Sequence, residues 1–202
     1  MGPTLADLNT FEDPDLDYDI LIVGAGISGL YQLYRLRESG FRVAVLERGT
    51  GVGGTWYWNR YPGARFDSES YSYAYSFSEE LLEEWNWSEH FASQPEILRY
   101  LEHVANKFDL LKDIQFSSEV TTASFDESRS CWIIELDSGL TYTTRLLVTA
   151  LGVLSEPTYP NIQGVGIFKG DSYHTARWPK TQIDLRDKNV AVIGTGASGV
   201  QT

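Results

Sequence analysis

The first patterned segment of the chain is a short apolar run, DILIV at residues 19–23, which predicts a buried strand. The segment LYQLYRLRES, residues 30–39, places apolar side chains at helical spacing, and Gly40 is typical of the residue that follows a helix. Residues 41–47, FRVAVLE, alternate as a second strand. Strand, turn, helix and strand in this order are typical of a parallel sheet, so we expect an α/β fold.

A long loop and a second helix follow. Residues 50–78 are rich in Gly, Tyr, Trp and Ser and show no sustained period, which is typical of a functional loop. A helix is predicted over residues 93–108, because apolar side chains recur along one face. Ser93 and Glu96 have the spacing of a capping box at its start.

The centre of the chain has the pattern of an antiparallel sheet. CWIIELD, residues 131–137, alternates as a strand, and Ser138-Gly139 follows as a turn. These residues predict a β-meander that returns to a buried strand at 145–151. Residues 152–187 are rich in Pro and Gly and irregular, so we expect a linker there.

A glycine turn lies between the first predicted strand and helix. Gly24, Gly26 and Gly29 give the pattern G-x-G-x-x-G. In this context the glycines allow a tight turn, close approach of the backbone to a pyrophosphate and close packing of helix on strand. Glu47 ends the second strand, where a carboxylate can accept hydrogen bonds from ribose hydroxyls. We therefore predict a dinucleotide site, against the alternative of a purely structural turn.

A second copy of the turn lies near the end of the sequence. Gly194, Gly196 and Gly199 repeat the spacing after the apolar run NVAVIG, which predicts a strand before the turn. Only three residues follow, too few for a helix to stabilise itself. We expect a second dinucleotide here and interpret the sequence as the N-terminal portion of a longer protein.

These patterns divide the chain into four expected segments. They are an acidic flexible arm, the N-terminal part of a first dinucleotide-binding domain, a linker, and the incomplete start of a second dinucleotide-binding domain, over residues 1–17, 18–151, 152–187 and 188–202. The expected fold is a Rossmann-like fold with two dinucleotide sites and a β-meander, truncated at the start of the second domain.

Composition and charge restrict the binding partners and the cellular compartment that we expect for the protein. The net charge of −12 argues against a nucleic-acid or anionic-membrane partner, because both would repel the chain. A single cysteine, Cys131, in a strand-like run excludes an internal disulfide and favours a reduced, cytoplasmic setting. The sequence has neither a signal-peptide pattern nor an apolar run long enough to span a membrane, and no cluster has metal-ligand spacing.

Two longer motifs carry a family resemblance. GGTWYWNRYPGARFD, from Gly53 to Asp67, resembles the pattern G-G-x-W-x-x-x-x-Y-P-G-x-x-x-D of type I Baeyer-Villiger monooxygenases. FKGDSYHTARWP, from Phe168 to Pro179, matches every fixed position of that family's fingerprint F-x-G-x-x-x-H-x-x-x-W-P. From about residue 18 onward the chain is similar to this family, and YSFSEELLEEWNW resembles its phenylacetone and steroid monooxygenase branch.

The resemblance implies an enzyme with a defined reaction. FAD would bind at the first glycine turn and NADPH at the second. NADPH would reduce the flavin, which would take up O2 to form a C4a-peroxyflavin and insert one oxygen atom beside a ketone carbonyl. The products would be esters or lactones, with sulfide oxidation as a further activity. The expected partners are a small ketone, O2 and the remainder of the protein's own chain.

The motifs and the resemblance together assign site residues. The FAD contacts expected are Gly24, Gly26, Ser28, Gly29, Glu47, Gly54, Thr55, Trp56, Asp67, Tyr73 and Val120. The NADP contacts expected are Arg65, Gly194, Thr195, Gly196, Ala197, Ser198 and Gly199. Asp67 would orient a catalytic arginine that lies outside these 202 residues. His174 and Trp178 would couple the NADP domain to the flavin site, with Trp178 as a packing anchor.

Two other interpretations remain open. One is an N- or S-oxidising flavin-containing monooxygenase, whose fingerprint ends in Tyr or Phe where this chain has Trp178-Pro179. The other is a non-catalytic FAD-binding fragment, and we expect the 202 residues alone to be inactive. A disulfide-reducing enzyme is disfavoured, because the sequence has no Cys-x-x-x-x-Cys pair.

Overall fold

The computed structural model describes residues 15–181 and 183–202. The described chain divides into two compact units, one formed by residues 15–54 and 101–153 and the other by residues 55–100 and 154–202. The first unit contains the sheet and the first glycine turn. The second contains residues 55–78 of the long loop, called the aromatic loop below, the fingerprint segment Phe168–Pro179 and the second glycine turn.

A six-stranded sheet forms the first unit, in the order β3-β2-β1-β6-β5-β4. The strands are β1 Tyr18–Val23, β2 Val43–Leu46, β3 Ile114–Gln115, β4 Val120–Asp126, β5 Cys131–Leu136 and β6 Thr141–Thr149. Strands β1, β2, β3 and β6 are parallel, whereas β4, β5 and β6 form an antiparallel meander. The α/β fold and the β-meander predicted from the sequence are confirmed. The strand predicted at 145–151 is not buried as expected, because Leu146 in β6 and Leu151 after it are exposed.

Alternation along the strands builds the core of this unit. Leu21, Ala44, Leu46, Ile134 and Leu136 form one buried cluster. Successive side chains of a strand point to opposite faces, so the buried neighbours of Leu21 in β1 face the other side of the sheet. Helix α1, Ile27–Glu38, contacts β1 and β2 and buries Leu30 and Leu33.

After α1 the described residues form five further α-helices, and the long loop contains more regular structure than predicted. They are α2 Thr55–Trp58, α3 Ser70–Tyr73, α4 Glu79–Glu84, α5 Gln94–Lys107 and α6 Ala197–Gln201. Helices α2 and α3 have only four residues each, which is too short for a helical period to be visible in the sequence.

Helix α5 confirms the predicted second helix, but its start differs from a capping box. The Glu96 carboxylate accepts hydrogen bonds from the backbone N–H of Ser88 at 2.9 Å and from the Ser88 hydroxyl at 2.6 Å. It thus binds the segment before the helix rather than the backbone of Ser93. The predicted box was wrong because the tertiary partner Ser88 provides two donors to one carboxylate.

The second glycine region also departs from expectation. Residues 189–193 form no strand, and Val190, Val192 and Ile193 are exposed. A strand needs a neighbour for its backbone hydrogen bonds, and no described strand lies beside this run. Helix α6 nevertheless forms a five-residue turn, which the sequence reasoning did not expect.

The expected acidic arm falls mainly on residues 1–14, which lie outside the described residues. At its described end, Leu16 is buried, and the Asp17 carboxylate accepts from the backbone N–H and the hydroxyl of Thr143, both at 2.8 Å. Asp19 accepts from Arg42 at 2.8 Å. In the described chain, no helix is both long and apolar enough to cross a membrane.

Candidate functional site

The first glycine turn joins the carboxyl end of β1 to the start of α1. Gly24 has φ of 103°, and its N–H donates to the carbonyl oxygen of Leu46 at 2.9 Å. A Cβ at Gly24 would lie 2.6 Å from the carbonyl oxygen of Ala150, and one at Gly29 would lie 1.8 Å from the carbonyl oxygen of Gly24. Both positions therefore need glycine, one for the turn and one for packing of the helix on the strand.

A second close approach shapes the space beside the helix N-terminus. A Cβ at Gly54 would lie 2.8 Å from the Cα of Gly26, and Gly54 has φ of 54°. Gly53 donates its N–H to the carbonyl oxygen of Ala25 at 3.0 Å, which ties the two segments together. Two glycine backbones thus face each other where side chains would fill the space, as a phosphate-binding turn requires.

Glu47 lies at the centre of this turn. Its Oε2 accepts from the backbone N–H of Ala25 at 2.7 Å, and its Oε1 accepts from the backbone N–H of Gly49 at 2.7 Å. The side chain is buried, so the carboxylate is fixed by two charge-assisted hydrogen bonds. Glu47 therefore organises the glycine turn, in addition to the ribose contact predicted for it.

Two other predicted FAD contacts of the first unit lie in different settings. Ser28 is exposed in the first turn of α1, at the end of the helix where the turn lies. Val120 begins β4 and packs, partly buried, against the core cluster that contains Leu21 and Leu136. The structure therefore gives Val120 a packing role and places Ser28 beside the turn.

The second glycine turn repeats part of the local geometry of the first. Gly194 has φ of 117°, and a Cβ at Gly199 would lie 2.5 Å from the carbonyl oxygen of Gly194. Gly196 is the N-cap of α6. Ala197 and Ser198 form the first turn of this helix, and Thr195 lies between the first two glycines. The close contact between the third glycine and the carbonyl oxygen of the first therefore recurs in both turns.

An aromatic cluster underlies the loop that follows Gly54. Trp56 donates its indole N–H to the Tyr73 hydroxyl at 3.0 Å, and both rings pack against Phe66 with centroids 5.2 and 4.1 Å away. Gln94 donates a side-chain N–H to the carbonyl oxygen of Trp56. Thr55 is the first residue of α2, next to Trp56. The structure thus brings the predicted flavin contacts Trp56 and Tyr73 into direct contact.

The phenols of this cluster are shielded from water. Burial raises the pKa of Tyr73, a hydrogen bond from Trp56 opposes the shift, and the Asp67 carboxylate adds to it. Burial also raises the pKa of Tyr75 above its usual range and that of Tyr100 to about 12. These side chains stay neutral through the physiological pH range and supply a low-dielectric surface.

Arg65 and Asp67 lie on a segment with a fixed backbone. Arg65 pairs with Ser93 in an antiparallel bridge, and its guanidinium contacts Glu89 at 3.1 Å. Phe66, between them, is buried, whereas Asp67 is exposed. The aromatic cluster thus contains Phe66, and the Asp67 carboxylate lies close enough to it to raise the pKa of Tyr73.

His174 lies at the start of a short 3-10 turn, Thr175–Arg177. Its Nδ1 accepts from the backbone N–H of Ala176 at 3.1 Å, and its Nε2 lies 3.3 Å from the carbonyl oxygen of Thr158. These contacts fit the neutral tautomer with the proton on Nε2. Both ring nitrogens are thus used in holding the fingerprint segment, which supports a structural rather than a proton-transfer role.

The remaining fingerprint residues differ in environment. The Trp178 ring packs on Tyr173 with centroids 5.6 Å apart, and Phe168 is exposed. Lys180 follows Pro179 and reaches the Tyr57 hydroxyl at 3.2 Å, with its ammonium 5.3 Å from the ring centroid. Sequence reasoning missed Lys180, whose only sequence signal is its place directly after the fingerprint, because its contact with Tyr57 joins positions far apart in the chain.

Other residues that shape the turns were also missed. Ala25, Gly49 and Ala150 contribute backbone groups to the first turn, so their side chains carry no chemical signal. Their sequence signal is position alone: Ala25 lies within the glycine motif, Gly49 shortly after the second predicted strand, and Ala150 within the strand predicted at 145–151. Among residues 15–181 and 183–202, no cluster of His, Cys, Asp and Glu side chains could hold a metal ion.

Comparison with known proteins identifies the class. The sequence model of the family described as pyridine nucleotide-disulphide oxidoreductase matches residues 21–202. The chain belongs to this family. Its single cysteine, Cys131, is buried in β5.

Among curated relatives, the chain is similar to flavin monooxygenases. It is 49% identical, over 91% of its length, to the acetone monooxygenase (methyl acetate-forming) of Gordonia sp. strain TY-5. It is 45% identical to a Baeyer-Villiger monooxygenase of Pseudooceanicola batsensis over 92% of its length, and 45% identical to the phenazine N-monooxygenase of Lysobacter antibioticus over 91%. The chain spans 34% of the length of each of these relatives.

Solved structures agree with this result. The chain matches an oxidized steroid monooxygenase bound to NADP with a TM-score of 0.85 and 54% identity, over 91% of this chain and 35% of that one. It matches an OTEMO complex with FAD and NADP with a TM-score of 0.87 and 44% identity, over 92% of this chain and 36% of that one. The predicted resemblance to Baeyer-Villiger monooxygenases is confirmed.

Proposed function

We propose that this chain belongs to an FAD- and NADPH-dependent Baeyer-Villiger monooxygenase that converts ketones to esters or lactones, with sulfide oxidation as a secondary activity. One observation carries the proposal, namely the 49% identity over 91% of the chain to a relative named for forming methyl acetate from acetone. Methyl acetate differs from acetone by one oxygen atom between the carbonyl carbon and a methyl group.

The first glycine turn is the proposed FAD site. The close backbones of Gly26 and Gly54 leave room for a pyrophosphate beside the N-terminus of α1, where the helix dipole favours negative charge. Glu47 holds the turn in this shape and has acceptor capacity for ribose hydroxyls. When bound, the flavin supplies the oxygen chemistry, which protein side chains cannot provide.

The second glycine turn is the proposed start of an NADPH site. Gly194, Gly196 and Gly199 have the spacing that a dinucleotide turn needs, and Thr195, Ala197 and Ser198 supply backbone N–H groups near it. Arg65 is the proposed cationic contact for the dinucleotide phosphates, because a guanidinium binds phosphate in a bidentate manner. Both segments lie in the second unit.

The aromatic loop has a proposed role in excluding water. Trp56, Tyr73 and Phe66 pack together and present neutral, shielded surface, and Thr55 lies beside them. Water exclusion protects reactive oxygen species bound in an enzyme from loss to solvent. Asp67, exposed at the end of this segment, is the proposed carboxylate that orients a catalytic arginine outside this chain.

The fingerprint segment has a proposed coupling role. His174 fixes the segment by both ring nitrogens, and Trp178 anchors it on Tyr173. Lys180 extends the contact to Tyr57 of the aromatic loop. This arrangement favours a role for the linker in coupling the NADP domain to the flavin site, rather than direct proton transfer by His174.

N-oxidation is the second candidate function. The chain is as similar to a phenazine N-monooxygenase as to a named Baeyer-Villiger monooxygenase, with 45% identity in both cases. Identity in this part of the chain therefore does not separate oxidation of nitrogen from oxidation of ketones. The Trp178-Pro179 ending of the fingerprint favours ketone oxidation.

A parallel assay of the complete natural protein separates the two. The enzyme, loaded with FAD, is incubated with NADPH and either phenylacetone or an aromatic amine, and products are identified by gas chromatography with mass spectrometry. Ester from phenylacetone, with NADPH consumed in equal amount, is the expected result. An N-oxide without ester would refute ketone oxidation. The 202 residues alone are expected to oxidise no NADPH, and ester formation by them would contradict this.

A further inference from the structure

The side-chain amide of Gln201 makes three hydrogen bonds to the loop Tyr61–Arg65. Its Oε1 accepts from the Tyr61 hydroxyl at 2.8 Å and from the backbone N–H of Arg65 at 3.4 Å. Its Nε2 donates to the carbonyl oxygen of Arg65 at 3.2 Å. The amide therefore pairs with both backbone polar groups of Arg65, as the backbone of a neighbouring strand would.

The same loop also holds the backbone of Gln201. Gly63 has φ of 81°, and a Cβ at this position would lie 2.0 Å from the carbonyl oxygen of Gln201. Any side chain at position 63 would force the loop and the helix end apart. Tyr61 is buried, so the hydroxyl that binds Gln201 belongs to a fixed ring. The loop is thus fitted to Gln201 through both side chain and backbone.

We propose that Gln201 is a positioning residue that sets the location of Arg65 relative to the second glycine turn. Helix α6 begins directly after Gly196 and ends at Gln201. Binding of the Arg65 backbone at this helix end fixes the starting point of the Arg65 side chain. The guanidinium of Arg65 also contacts the Glu89 carboxylate at 3.1 Å. The inference rests on the proposed function, in which Arg65 and the turn contact the same dinucleotide.

The test is NADP+ binding by the complete natural protein with the substitution Gln201→Met. Methionine keeps the length of the side chain and removes all three hydrogen bonds of the amide. We expect the Kd for NADP+, measured by calorimetry, to rise about tenfold, which equals about 1.4 kcal/mol. The KM for NADPH should rise to a similar extent with kcat changed less than about twofold, because ground-state binding is affected. FAD content, read from flavin absorbance, should not change.

Two further variants sharpen the test. Tyr61→Phe removes one of the three hydrogen bonds and is expected to raise the Kd about threefold. The double variant should bind NADP+ as weakly as Gln201→Met alone, because both changes remove the same contact. Val200→Ala is the matched control, since Val200 is 79% exposed in the same helix, and it should bind NADP+ like the unchanged protein.

The binding measurements distinguish failure of the positioning role of Gln201 from failure of the proposed function. Unchanged NADP+ affinity of folded Gln201→Met, or additive losses in the double variant, would overturn the positioning role. A lower thermal midpoint with unchanged affinity would overturn it as well, in favour of a structural role. If Gln201→Met does not fold, the affinity of Tyr61→Phe decides. Failure of the unchanged protein to bind NADP+ would overturn the proposed function together with the inference.

Discussion

Glu47 shows how one side chain can organise a binding turn. Its two carboxylate oxygens each accept a backbone N–H from a different segment, that of Ala25 before α1 and that of Gly49 after β2. Hydrogen bonds to a buried charged group contribute about 1.5–3 kcal/mol. The residue therefore stabilises the geometry that the proposed FAD site needs.

Substitution of Glu47 by Gln tests this role. The amide keeps the shape but presents a donor to one of the two backbone N–H groups, which leaves a buried donor unsatisfied. We expect the free energy of unfolding to fall by about 2 kcal/mol and the Kd for FAD to rise at least tenfold. Chemical denaturation and quenching of flavin fluorescence measure the two quantities.

The exposed Glu102 on helix α5 provides the matched control for this substitution. Glu102→Gln changes the net charge equally and should alter neither quantity. Equal effects of the two variants would show that charge alone, and not the hydrogen bonds of Glu47, is responsible. Sequence reasoning located Glu47 by its place at the end of the second predicted strand, but its hydrogen bonds to Ala25 and Gly49 depend on loop backbone that no residue pattern specifies.

At the scale of elements, helix α5 and the aromatic loop share one cluster. Tyr100 on α5 accepts the backbone N–H of Tyr75 at 2.7 Å and packs on Trp85 and Trp87, with ring centroids 5.3 and 5.1 Å away. The helical period made the buried face of α5 predictable. The contact of Tyr100 with the loop was not predictable, because aromatic residues in a loop without a regular period can pack in many arrangements.

This cluster predicts a fall in stability at alkaline pH. Burial raises the pKa of Tyr100 from its usual value of 10.0 to about 12. Between these values the unfolded chain loses the phenolic proton while the folded state keeps it, so stability is present below pH 10 and is lost as pH rises through 12. Denaturation across this range should show the fall, and Tyr100→Phe should make it smaller.

Tyr100→Phe also removes the acceptor for the Tyr75 N–H, which should cost about 1 kcal/mol at pH 7. The exposed Tyr31 on α1 gives the control, and Tyr31→Phe should leave the alkaline slope unchanged. An identical slope in Tyr100→Phe and the unchanged protein would exclude Tyr100 as the source of the pH dependence.

The fingerprint segment predicts a separation of coupling from cofactor binding. His174→Ala in the complete natural protein removes the acceptor for the Ala176 N–H and the contact to Thr158. We expect ester formation per NADPH consumed to fall at least threefold with FAD content unchanged. Asn at this position can accept the same N–H through its side-chain oxygen, so His174→Asn should recover part of the coupling.

Hydrogen peroxide release and flavin absorbance, measured together, distinguish the outcomes for these His174 variants. Peroxide should rise as ester falls, because oxygen uptake continues without transfer to the ketone. Loss of FAD from His174→Ala would instead place the fingerprint segment in the flavin site and refute the coupling role.

At the scale of the whole molecule, local sequence patterns predicted the elements whose backbone hydrogen bonds are made within one helix or within the described sheet. Strands β1, β2, β5 and β6 and helix α1 followed from their sequence patterns, whereas β3 and β4 were not predicted. The run at 189–193 has an equally clear strand pattern but forms no strand. The difference is physical, because a strand's backbone hydrogen bonds come from a neighbour that its own sequence does not contain.

This difference between the paired strands and the run at 189–193 should be visible in their rates of amide hydrogen exchange. In hydrogen exchange of the 202-residue chain followed by mass spectrometry, amides of β1 and β2 should exchange slowly, since both strands are paired on two sides. Amides of residues 189–193, which have strand-forming side chains but no strand partner in the described chain, should exchange within seconds. Strand β2, VAVL at residues 43–46, and the run VAVI at residues 190–193 are similar in composition, so intrinsic chemistry does not explain a contrast between them. Slow exchange over 189–193 would show that this run finds a strand neighbour, for instance in a second copy of the chain, and would contradict the arrangement described for it.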